Sequence, residues 1–103
     1  MMVYECLSKG KENAVPGKDL VALLKLKDLR ELTQIIERER KDGHPICAST
    51  DTNFPGYYLA DGPDELWDYI KSLGRRLHSI GITRKHLEDT LDRMTGQGRV
   101  EGW

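Results

Sequence analysis

Four side chains stand out for chemistry: Lys27, Arg30, Gln34 and Arg38. Arg30, Gln34 and Arg38 recur every fourth residue, so a helix would align them on one face. That face is opposite Leu29, Leu32 and Ile36. Arginine can pair with guanine, and glutamine with adenine, through two hydrogen bonds each. The same spacing also makes ordinary solvated pairs, Gln34 with Arg38 and Glu37 with Lys41. Across residues 28–42, four bases (Arg30, Arg38, Arg40, Lys41) meet five acids (Asp28, Glu31, Glu37, Glu39, Asp42). Nucleic-acid affinity comes largely from phosphate contacts, and this near-neutral segment offers few.

Other reactive residues lack the company their chemistry needs. His44 and Cys47 lie three apart, but a structural zinc site wants four ligands in two close pairs. No metal is expected. Ser49, Cys47, His44 and Asp51 crowd one short stretch without the glycine elbow that exposes a nucleophile. Gly10 and Gly17 lack the lysine-serine partner of a phosphate loop. Asp64, Glu65 and Asp68 are acids of the kind a helix start favours. The expectation is a non-enzymatic protein without a cofactor.

The chain has 103 residues, of which 38% are hydrophobic and 32% charged, with net charge −1. That allows one modest core. Cys6 and Cys47 are too few for a disulfide framework. No apolar leader run precedes Lys9, and no stretch reaches the ~20 apolar residues of a membrane span. A cytoplasmic protein without membrane contact is expected.

The elements that must position these residues follow from periodicity. Residues 2–7 suit a short helix ended by Gly10, and residues 13–15 are extended before Pro16. Leu20, Leu23 and Leu24 share one face of a helix over 17–24. Asp28 and Glu31 have the layout of a capping box for a helix over 28–42, closed by Gly43. Alternation then replaces the helical period. Ile46 and Ala48 share one strand face, Tyr57 and Leu59 another, and the turn formers of 50–56 join them as a hairpin. These four residues are expected to be buried together against Leu32 and Ile36, leaving Cys47 and Tyr58 outward. Pro63 opens a further helix. In it Leu66, Ile70, Leu73, Leu77 and Ile80 form a heptad seam, suited either to cover its own domain or to pair two copies. Gly81 is expected to end that helix, and Thr83 to cap a second one carrying Leu87, Leu91 and Met94.

The expected architecture is α+β and mostly α: helix, strand, helix, helix and hairpin, then two C-terminal helices. The run Val15-Pro16-Gly17-Lys18-Asp19-Leu20, the helix after Asp28, the segment Gly43-His44-Pro45-Ile46 and the sequence Gly56-Tyr57-Tyr58-Leu59-Ala60 carry a likeness. Together they resemble a winged helix-turn-helix DNA-binding domain of small bacterial and prophage-encoded regulators or accessory factors. The resemblance implies such a domain over residues 1–60, a helical extension over 61–95 and a flexible tail over 96–103. It implies that the helix after Asp28 reads double-stranded DNA with Lys27, Arg30, Gln34 and Arg38. Thr50, Thr52 and Asn53 of the wing would approach the backbone; the seam Leu66, Ile70, Leu73, Leu77 and Ile80 would join a homodimer where it does not cover its own domain. Three places depart from the pattern: Pro16-Gly17 stands at the usual Ser/Thr cap, Lys25 at the usual turn glycine, and the wing has no Lys or Arg. The competing expectation is an adaptor that uses the same scaffold to bind a protein partner.

Overall fold

The computed structural model describes residues 2–96. The chain is α+β and mostly helical. It divides into two compact units, the first reaching Tyr69 and the second beginning at Ile70.

In the first unit, 3-10 turns at Val3–Cys6 and Lys11–Asn13 precede α1 (Gly17–Leu23), α2 (Leu29–Lys41), β1 (Ile46–Ser49) and β2 (Gly56–Leu59). Helix α3 (Pro63–Thr95) begins here and continues through the second unit.

Both early helices end alike. Leu26 N–H donates to the Val21 carbonyl (2.9 Å) and Lys25 N–H to Ala22 (3.3 Å). At the end of α2, His44 N–H donates to Glu39 (3.1 Å) and Gly43 N–H to Arg40 (3.0 Å). These pairs close each helix with one residue in the left-handed region. Gly43 takes it at φ 100°, whereas at the first turn Lys25 takes it at φ 54°. The turn therefore keeps its geometry without the usual glycine. At the start of α2 the Asp28 carboxylate accepts from Glu31 N–H (2.9 Å), while Glu31 accepts from Lys27 N–H (2.9 Å).

The strands pair antiparallel, with Ile46 opposite Leu59 and Cys47 opposite Tyr58. The free edge of β2 is occupied by the N-terminal segment. Val15 and Tyr57 exchange two hydrogen bonds of 2.8 Å, and Gly10 N–H donates to Leu59 (2.9 Å).

Burial corrects the one-sided hairpin. Ile46 packs in a core with Val3, Leu7, Leu20, Leu32 and Ile36, and Tyr57 and Leu59 lean on it. Cys47 and Tyr58 are also buried, in a second cluster with Ala60 and Tyr69, which Ala48 and Leu66 flank. Alternation marks a strand with one wet face; here the first turns of α3 cover the other face, so both sets of side chains are inside. Leu66 consequently serves this core rather than a seam between copies. Leu23 and Leu29, expected inward, are 63% and 56% exposed. Leu20, Leu32 and Ile36 already fill the space between α1 and α2.

The second correction is α3 itself, one helix where two were expected. Gly81 does not end it, and Ile82 and Thr83 are helical. A glycine inside a helix costs only about 1 kcal/mol relative to alanine, too little to break a long helix without a turn that requires it. The expected tail lies, beyond Gly96, outside the described residues.

The buried pair across the hairpin makes a chemical prediction. Burial pushes the Cys47 thiol up, although the Tyr58 hydroxyl hydrogen-bonded to it acts in the opposite sense. Burial likewise pushes the Tyr58 phenol up to about 12. The fold thus favours the neutral phenol over an unfolded value of about 10. This stabilisation is complete below pH ~10 and is lost as pH rises through the folded value. Denaturant midpoints should therefore fall between about pH 10 and 12, less steeply for Tyr58→Phe. An identical decline in the variant would show that Tyr58 is not the responsible group.

Candidate nucleic-acid interface

Helix α2 sorts its charges by face. Leu32 and Ile36 are buried, and Arg30, Gln34 and Arg38 are exposed. Lys41 extends this row, and Lys27 stands just before the Asp28 cap. Among the described residues, none of these five side chains makes a hydrogen bond or ion pair. The solvated pairs Gln34–Arg38 and Glu37–Lys41 do not form; Glu37 lies instead 3.6 Å from the Arg40 guanidinium.

The acids that made the segment look neutral are mostly occupied. Asp28 and Glu31 accept backbone N–H groups at the helix start, where the macrodipole favours them. Glu39 is 2% exposed. Its two oxygens accept Val3 N–H (2.9 Å) and Tyr4 N–H (2.8 Å) from the first 3-10 turn. Arg40 is structural as well: Nε donates to the Ile46 carbonyl (2.9 Å) and Nη2 to the Tyr69 hydroxyl (3.1 Å). That one residue ties α2 to β1 and to the start of α3.

The hairpin loop is organised by Asp51. Its carboxylate accepts Asn53 N–H (2.9 Å), its carbonyl accepts Phe54 N–H (3.1 Å), and its own N–H donates to Ser49 Oγ (3.1 Å). Thr50, Thr52 and Asn53 are exposed around it. Lys11 Nζ lies 3.2 Å from the Asp51 carboxylate. The Asn53 N–H, then Lys11, hold that carboxyl below its ordinary value.

Lys11 is a residue that sequence reasoning missed. The loop carries no cation of its own, and Lys11 arrives from the second 3-10 turn. That turn is held by the Gly10–Leu59 bond and by Glu65, which accepts Lys11 N–H (3.3 Å) and Asp61 N–H (2.8 Å). Nothing local in the sequence signals this arrival. Glu39 carried a weak signal, since an acid in the last turn of a helix opposes the dipole and needs a compensating partner.

The remaining candidates have structural tasks. His44 stacks on Tyr4 with ring centroids 3.7 Å apart. Cys47 is buried with its thiol toward the Pro45 carbonyl (3.8 Å). Among the described residues no group of three or more His, Cys, Asp and Glu could hold a metal ion. Of the proposed dimer residues, Ile70, Leu73, Leu77 and Ile80 are exposed. Among the described residues no helix is long and apolar enough to cross a membrane. No family model, curated protein or solved structure matches the chain.

Proposed function

We propose that this is a non-enzymatic protein that binds double-stranded DNA as a winged helix-turn-helix. In this reading α2 enters the major groove and the Asp51 loop is the wing. The observation that carries the proposal is the sorting of charge on α2. Glu39 is buried, Glu37 is paired with Arg40, and Asp28 and Glu31 are engaged at the cap. Arg30, Gln34, Arg38 and Lys41 are left as an outward row of donors. From Arg30 to Arg38 the rise is about 12 Å at 1.5 Å per residue, comparable to a major groove about 12 Å wide. Arg30 and Gln34 lie toward the N-terminal end, the end that contacts bases in helix-turn-helix proteins. Lys27, at the helix entrance, is placed for a phosphate.

Fluorescence anisotropy with duplex DNA across a salt series tests this reading. Phosphate contacts require log affinity to fall linearly with log salt. Against a selected duplex, Arg30→Ala should cost about 1–3 kcal/mol and relax choice at one position. Lys27→Ala should weaken all sequences alike and reduce the salt slope by about one. Both side chains are exposed, so the folding midpoints should not move. A wild type without duplex affinity at low salt would overturn the proposal and leave a protein-binding adaptor as the reading to pursue.

A further inference from the structure

The second unit carries an apolar row along α3 that is largely exposed, with Leu91 half-buried. Ile70, Leu77, Ile80, Leu87 and Met94 are 46–79% exposed. With Leu73 and Leu91 they alternate steps of three and four residues along α3, interrupted once, by Arg84. A sustained 3.5-residue period is the spacing of a helix that pairs with another helix of like spacing.

We propose that residues 70–94 pair antiparallel with the same segment of a second copy of this chain. The row is self-complementary in that direction. Ile70 falls opposite Met94, Leu73 opposite Leu91, Leu77 opposite Leu87, and Ile80 opposite Arg84. Charge selects the same orientation. Residues 70–79 hold Lys71, Arg75 and Arg76 and no acid, whereas the level residues 85–94 hold Glu88, Asp89 and Asp92 against Lys85 and Arg93. Antiparallel pairing sets the basic segment beside the net-acidic one, with Lys71 level with Arg93 as its one like-charged pair. Parallel pairing would set basic against basic and acidic against acidic.

Arg84 adds a second argument. In a parallel pair both Arg84 side chains would enter one core layer, a juxtaposition of like charges out of water. In the antiparallel register each faces Ile80 instead, about 6 Å along the axis from the other. Its own Glu88, 3.5 Å away, accompanies the charge. Beside the row, a Cβ at Gly74 or Gly81 would meet nothing within 4 Å, so a second backbone can approach closely there.

This pairing is independent of nucleic-acid binding and is tested without DNA. Sedimentation equilibrium of the full chain over a concentration series should fit a monomer–dimer equilibrium. Leu77→Asp should weaken association at least about a hundredfold by placing an unpaired charge in the seam, while the first unit unfolds at its usual midpoint. Direction is read by disulfide trapping on a Cys6→Ser background, with Leu77→Cys and Leu87→Cys chains mixed under mild oxidation. The expected product is the mixed dimer, with little of either homodimer. A Leu77→Cys homodimer as the main product would overturn the antiparallel register. A monomer at every concentration, or a trimer or tetramer, would overturn the pairing itself.

Discussion

Replacing Gly56 by alanine is expected to destabilise the first unit by about 3 kcal/mol or more, among the largest effects of a single methyl group. Gly56 begins β2 at φ 116°, a conformation that costs a residue with a side chain about 1–3 kcal/mol. Strain is the smaller part. A Cβ at Gly56 would run into the carbonyl of Val15 and lie 2.5 Å from the Pro16 nitrogen. That carbonyl cannot retreat freely, since it accepts Tyr57 N–H at 2.8 Å and Val15 N–H donates back to Tyr57 at the same length. The entry to α1 and the edge of β2 would have to separate. Gly43→Ala is the control. It has a similar φ of 100°, but a Cβ there meets nothing within 4 Å. If both variants lose the same stability in denaturant unfolding, backbone strain alone accounts for Gly56 and the close approach does not matter.

The second large effect is expected at Glu39. Glu39→Ala leaves the N–H groups of Val3 and Tyr4 without their acceptor, beneath a turn whose Val3 is fully buried. Each buried donor left unmade costs about 1–3 kcal/mol, so a total near 3 kcal/mol is expected. For a unit of this size that lowers Tm by roughly 12–24 °C. Glu39→Gln keeps one carbonyl oxygen and should recover part of the loss. Glu37→Ala, which removes a half-exposed ion pair with Arg40, should stay within about 0.5 kcal/mol. A Glu39→Ala variant as stable as Glu37→Ala would mean that the first turn detaches without consequence for the fold.

Much of the local architecture was legible because its causes are local. Asp28 and Glu31 mark the start of α2 through bonds that span three or four residues, and Gly43 marks its end through a conformation glycine adopts readily. The outward row Arg30, Gln34 and Arg38 follows from helical period once Leu32 and Ile36 are inside. Lys25 shows where such reading loses resolution. The turn needs a left-handed residue, and two closing hydrogen bonds with the packing around it hold a lysine there. Gly81 shows the converse: a residue able to end a helix does so only where the chain must turn.

What the sequence by itself determined is therefore the order of α1, α2 and the hairpin and the outer face of α2, but not the two 3-10 turns before them. Caps, periods and turn residues act within a few positions and hold in any context. Only the tertiary structure decided that both faces of the hairpin are buried, because the covering residues Leu66 and Tyr69 belong to a later helix. It alone brought Lys11 to Asp51 and Glu39 beneath Val3 and Tyr4, and so took an acid off the exposed surface of α2. These contacts join residues 35 to 40 positions apart. Their partners are selected by the way the elements pack, and no spacing within either segment encodes them.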